Sequence, residues 1–397
     1  MISPYLTPQP ILFTHSADEL YGSDIVLLEL SRRLNRERFR PFVVTPIDIS
    51  YQGRLSQALR REGIEHRAVD MPVLRRRYLS VQQIWAFLRR LRTGPAQVQH
   101  LCVSEKVALV HSNTTAVWGG ALAARRVGLP HLWHVHEIIT QPWLARKLIA
   151  FMVARYSDQV VAISQAVADH LLADQPRLAE RMTIIYDAVD AERFHPRNQG
   201  EALRAAWNVP ADATLVGVVG RISAWKGQGF FLRAFAQAAA HSPSLTAVIV
   251  GDVTPGEEWR RQELASLAAE LGVSERVIWP GFRMDAPQVM AALDILALPS
   301  TSPEPFGMVV VEAMATARPV IATAHGGPLE TITPEETGLL VSPQDPAALA
   351  AALTRLAAHP ELRARLGANA RQRVLQRFTF AHHVAAFETL YDHMLRG

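Results

Sequence analysis

The sequence predicts an α/β protein of two modules, each a parallel sheet covered by helices. Three observations lead there. The chain has 397 residues, more than one hydrophobic core usually sustains. Short apolar runs alternate with helical stretches from end to end, the pattern that gives parallel strands with helical crossovers. Apolar residues make up 49% of the chain, enough to fill two cores.

In the first half, strands are expected at Ile11 to Thr14, Phe42 to Thr45, His66 to Val69, Ala108 to His111, Leu132 to His136, Gln159 to Ile163 and Met182 to Ile185. A second series is expected at Leu215 to Val219, Ala247 to Val250, Val277 to Trp279, Ile295 to Leu298, Val320 to Ala322 and Leu339 to Val341. Each series makes one Rossmann-like module. Asp187 to Gln199, with Pro196, Arg197 and Asn198, has no periodic apolar pattern and reads as the linker. This divides the chain into domains at 1–190 and 191–380, with a last helix in 381–397 that has no strand after it. Ser80 reads as the cap of a sheet-covering helix whose Val81, Ile84, Trp85, Leu88 and Leu91 share one face.

Charge is unevenly placed. Residues 1–190 carry 23 Lys+Arg against 17 Asp+Glu, a balance of +6, and residues 191–397 carry 18 against 20, a balance of −2. Ten Arg between Arg54 and Arg92 face only Glu62, Glu65 and Asp70. Arg75, Arg76 and Arg77, followed by Tyr78 and Leu79, suit an anionic membrane surface or a phosphate-bearing acceptor more than a nucleic acid. No apolar run is long enough to span a membrane, and no basic stretch followed by an apolar one opens the chain, so a cytoplasmic protein touching at most the membrane's inner face is expected. The single Cys102 cannot form an internal disulfide and reads as a small buried hydrophobe.

The most informative stretch is Glu304-Pro-Phe-Gly-Met-Val-Val-Val-Glu312-Ala-Met-Ala. Gly307 allows a sharp turn into a helix from Met308 to Ala317, whose first amides, at the positive end of the helix dipole, attract phosphate. Carboxylates on either side accept hydrogen bonds from sugar hydroxyls. Glu312 lies in an apolar run, where a carboxylate needs a partner. Arg221 and Lys226 follow the first strand of the second module, where ligands of open α/β sheets collect, and can neutralise a diphosphate. In His131-Leu-Trp-His-Val-His-Glu137, alternation puts Leu132, His134 and His136 on one face, with His136 nearest the strand's carboxyl end and His134 its competitor.

The Glu-x7-Glu spacing, with its Pro-Phe-Gly turn and Glu-Ala-Met-Ala, resembles glycosyltransferase family 4, retaining nucleotide-sugar enzymes of the GT-B fold. The resemblance implies two Rossmann-like domains whose sheets face each other across a cleft, and a terminal helix that crosses back to the first domain. It gives Glu304 the donor hexose and Glu312 the ribose hydroxyls, with backbone contacts from Phe306, Gly307, Met308 and Val309. His136 becomes the active-site histidine, Gly22 the glycine of the loop that approaches the donor phosphate, and Arg75, Arg76 and Arg77 the acceptor side. No metal or other cofactor is expected, since the chain has no Asp-x-Asp pair. The implied activity is retaining transfer from a nucleotide sugar to a glycan, polysaccharide or lipid-linked acceptor. A GT-B epimerase or sugar phosphorylase, and a non-catalytic nucleotide-sugar-binding protein, are the alternatives. Two departures from the family stand out: Tyr21-Gly22 replaces a glycine pair, and Tyr186-Asp187-Ala188-Val189-Asp190 stands where Pro-Asn-Gly-Val-Asp is common.

Overall fold

A computed structural model describes residues 7–75, 81–254 and 256–396. The chain divides into two compact units, residues 1–187 with 380–397, and residues 188–379. The first holds a seven-stranded sheet of β1 (Gln9–His15), β2 (Phe39–Pro46), β3 (Glu65–Val69), β4 (Leu109–Asn113), β5 (His131–Val135), β6 (Gln159–Ala162) and β7 (Met182–Ile184), in the order β3-β2-β1-β4-β5-β6-β7. The second holds β8 (Thr214–Val219), β9 (Leu245–Val250), β10 (Val277–Gly281), β11 (Ile295–Leu298), β12 (Val320–Thr323) and β13 (Leu339–Val341), in the order β10-β9-β8-β11-β12-β13. Every pairing between these strands is parallel, and all thirteen fall within three residues of the expected positions.

Strand direction of assembly reverses between β1 and β4 in one sheet and between β8 and β11 in the other. At such a point the loops leaving the two strands diverge and a crevice opens at their carboxyl ends. Apolar segments fill the middle of these strands: Ile11, Leu12 and Phe13, like Leu215 and Val216, are fully buried. At the carboxyl end of β4 the buried residues turn polar, in the run His111-Ser112-Asn113.

The final helix, Phe380–Arg396, completes the first unit's core. Its Val384, Phe387 and Tyr391 pack with Phe13, Phe39 and Leu109, and the Tyr391 hydroxyl lies 2.7 Å from His111 Nδ1. The expected linker is no loose tether, because Ala188, Val189, Ala191 and Phe194 are buried and the Val189 amide donates to the Phe378 carbonyl.

The helix Val81–Ser104 corrects the sequence reading. Ile84, Trp85 and Leu88, assigned to a sheet-covering face, are exposed. Phe87 instead packs edge-on against Trp118, and Val98 and Cys102 supply the core contacts. The helix approaches the sheet near Gly94, where a Cβ would come within 2.7 Å of the Met71 backbone, so the half after Gly94 is the buried one. Ser80, Arg76 and Arg77 lie outside the described residues. Among the described residues no helix is long and apolar enough to cross a membrane.

Candidate active site

In the C-terminal unit the chemistry gathers at the carboxyl ends of β8 and β11. β11 is followed by Pro299, Ser300 and a loop that returns Glu304 to the sheet's edge, where Glu304 bridges to Gly326 and its carbonyl accepts the Gly327 amide at 2.7 Å. Gly326 has φ +70°, and a Cβ there would lie 2.2 Å from the Glu304 carbonyl oxygen, so only glycine lets the two backbones meet. The Glu304 carboxylate accepts from Lys226 Nζ at 3.0 and 2.8 Å and from Ser300 Oγ at 2.8 Å. Lys226, read from the sequence as a diphosphate contact, is thus held against the carboxylate read as a sugar contact. It also lies 4.3 Å from the centre of the Trp225 ring. Arg221 is exposed at the mouth of the same loop.

Gly307, with φ +91°, starts the helix Met308–Ala315, two residues shorter than expected because Ala317 turns to φ +55°. The first amides of this helix, Met308 and Val309, have no intrahelical acceptor. The side chain of Phe306 is buried edge-on against Phe378, which leaves its backbone as the part able to meet a ligand. Glu312, one turn in, accepts no side-chain hydrogen bond among the described residues. Its surroundings raise its pKa to about 7: burial disfavours the charged form, and Arg193 only partly offsets this.

In the N-terminal unit the corresponding place, at the ends of β1, β4 and β5, is a buried polar chain. Asp24, in the first turn of the helix Gly22–Arg33, bonds through one oxygen to His15 Nε2 and accepts the Tyr21 amide with the other at 2.7 Å. Gly22 is exposed at the start of this helix. The Asn113 side-chain nitrogen lies 2.9 Å from His15 Nδ1 and 3.3 Å from the Ser23 carbonyl, and its oxygen lies 3.0 Å from His136 Nε2. His136 Nδ1 is 3.4 Å from Asp187. Burial pulls the His136 pKa down, but the charge and hydrogen bond of Asp187, with Glu137 and Asp24, outweigh it and the net shift is upward.

His134 has a different setting. It is fully buried 4.9 Å from the Phe387 ring, neither of its nitrogens has a hydrogen-bond partner, and burial holds its pKa well below the usual value. His134, His136 and Asp187 present donor atoms within 4.8 Å of one another. Both His136 nitrogens already face Asn113 and Asp187, however, so a cation would have to displace these contacts, and we read the trio as a proton-bearing cluster.

Arg75 is tied down rather than free. It forms a bidentate pair with Asp48 at 2.8 and 2.9 Å, reaches the Ser16 carbonyl at 2.7 Å and contacts the Tyr51 hydroxyl. His15, Asp24, Asn113 and Ser300 were not singled out by sequence, and Asp187 only as a departure from the family motif. The one signal for them is the polar triplet that ends the otherwise apolar β4.

The family model "Glycosyltransferase Family 4" matches residues 21–193, and "Glycosyl transferases group 1" matches residues 199–373. A D-inositol 3-phosphate glycosyltransferase of Nocardioides sp. is 30% identical over 379 residues, covering 88% of this chain and 80% of that protein. The chain belongs to glycosyltransferase family 4. The enzyme of the same name from Saccharomonospora viridis is 35% identical over 245 residues, 60% of this chain. The match spans only 56% of that relative's length, a little over half. Among solved structures, Anabaena Alr3699/HepE in complex with UDP and glucose aligns with a TM-score of 0.81 at 28% identity, covering 96% of this chain and 99% of that one. The lipopolysaccharide glycosyltransferase WaaG, at 18% identity, shares the GT-B fold with a TM-score of 0.71.

Proposed function

We propose that this family 4 protein moves a sugar from a nucleotide-sugar donor to a hydroxyl-bearing acceptor, with retention at the anomeric carbon and without a divalent ion. The observation that carries the reading is the carboxylate Glu304, buried and fixed by Lys226 and Ser300, beside a helix whose first amides lack acceptors and whose second turn carries the unpartnered Glu312. Glu304 meets the hexose hydroxyls and Glu312 the ribose hydroxyls. The amides of Phe306, Gly307, Met308 and Val309, with Arg221 and Lys226, face the diphosphate, whose negative charge grows as it leaves. His136 and the Gly22 loop belong to the N-terminal half of the reaction. UDP and glucose in the Anabaena structure make UDP-hexoses the first donors to try, and D-inositol 3-phosphate is the first acceptor by the names of the relatives.

Donor turnover measured with and without acceptor tests this. A new glycosidic bond of unchanged anomeric configuration, formed equally well in chelator, is the expected result. An altered free donor would mean an epimerase. Binding of UDP-sugar without any product would mean a binding protein. Inversion, or a strict requirement for magnesium or manganese, would overturn the retaining, metal-free mechanism.

A further inference from the structure

The groups that face the two nitrogens of His136 bear on its proton count. Asn113 sets the orientation: its side-chain amide faces the Ser23 carbonyl, which can only accept, so the NH2 is on that side and the oxygen faces His136. His136 Nε2 must therefore donate to Asn113 Oδ1. On the other side of the ring, Nδ1 faces the Asp187 carboxylate, also an acceptor only, at 3.4 Å. A ring flanked on both sides by groups that only accept is matched to both as an imidazolium. Asp187 is buried, and its second oxygen has no partner among the described residues, so His136 is the cation that balances it.

We propose that Asp187 is a positioning residue which holds His136 as a fixed imidazolium between itself and Asn113, in place of the asparagine common at this point of the family motif. An asparagine would accept from Nδ1 only weakly and would carry no charge, so a neutral ring would serve equally well. The charged and titratable groups around His136 are Asp187 at the end of the first unit's main segment, Glu137 on its own strand's extension, Asp24 and His15 beyond Asn113, His134 and His111 on the sheet, and His383 on the last helix. His111, His134 and His383 are kept neutral by burial and add no charge of their own, whereas the carboxylates favour the cation. Asp187 is the nearest of these. The result is a buried imidazolium–carboxylate pair at the carboxyl end of the N-terminal sheet, whose ring is held in one orientation by Asn113 on one side and Asp187 on the other.

The inference rests on the reading of His136 as an active-site residue, and two independent readouts keep them apart. The first is the 15N spectrum of the histidine rings in the wild-type protein, which needs no substrate and no variant. At pH 7 both His136 nitrogens should show imidazolium shifts; a neutral ring there would overturn the proposal whatever the activity. The second is the pH profile of donor turnover in Asp187→Asn. Activity at pH 8 should fall about tenfold, the factor for one pKa unit, with donor KM within about twofold, and should recover near pH 5.5. A loss equal at every pH would mean a purely structural role and would also overturn it. Full activity of His136→Gln alongside an imidazolium in the wild type would instead retire the active-site reading and leave the charge state standing.

Discussion

The carboxyl end of the N-terminal sheet links its polar groups into one buried chain, while that of the C-terminal sheet sets a carboxyl group and the first amides of a helix apart from any such chain. Asp24, His15, Asn113, His136 and Asp187 contact one another in sequence, whereas the Glu312 carboxylate and the first amides of its helix wait for partners. The same topological reversal thus supports two electrostatic designs. One is rigid and proton-sensitive from the acid side, because several buried histidines resist charging. The other is prepared for a ligand and sensitive from the basic side, because a buried carboxyl resists ionisation.

Opposed pH dependence of the two units is the largest effect to follow. Burial holds His131 down to about 3 and keeps His111, His134 and His383 below their ordinary 6.5. Below pH 6.5 the unfolded chain takes up protons that these rings refuse, so the first unit should lose stability as pH falls toward 3, by roughly 3 kcal/mol or more. Fluorescence of the buried Trp133 during denaturant unfolding, in a variant whose other tryptophans are replaced by Phe, reads this unit. A level stability between pH 7 and 4.5 would contradict it.

Next in size is the contrast between the two glutamates. Glu304→Gln removes the negative charge that Lys226 pairs with and should cut turnover by about 1.5 to 3 kcal/mol of transition-state binding. Glu312→Gln should also cost turnover, yet stabilise the protein at pH 8. Its folded state keeps a proton up to about 7 that the unfolded chain loses above 4.5, so wild-type stability falls across that window and stays lower above it. The gain at pH 8 is on the order of 2 kcal/mol, read as a higher thermal midpoint. A lower midpoint for Glu312→Gln at pH 8 would show that the carboxyl is ionised and paired in the free protein.

The smallest effect concerns Arg75. Because it joins Asp48, Ser16 and Tyr51, Arg75→Ser should lower stability by about 1 kcal/mol, measurable by denaturant titration. An unchanged midpoint with a raised acceptor KM would return Arg75 to the acceptor role that its sequence neighbours Arg76 and Arg77 suggested.

The difference between the two ends also decided what the sequence revealed. Glu304, Glu312, Arg221 and Lys226 fall in two short stretches with a turn, a helix start and a strand end to orient them, so local chemistry was enough. The N-terminal chain draws single residues from five separate places, and only tertiary structure brings Asn113 between His15 and His136. The strands were legible because a doubly covered parallel sheet writes itself as continuous apolar runs. The face of the helix Val81–Ser104 was not, since apolar spacing shows that a stripe exists and not that anything covers it. There Gly94 and Phe87 set the contact, and the more obvious stripe faces outward.

The return of the last helix to the first unit has a consequence for the order of synthesis. Residues 188–379 form one uninterrupted segment, but the first unit lacks Val384, Phe387 and Tyr391 until the helix Phe380–Arg396 has left the ribosome. The unit begun first is therefore completed only after the second has been made, and until then its core stays partly open, with His111 still lacking the Tyr391 hydroxyl.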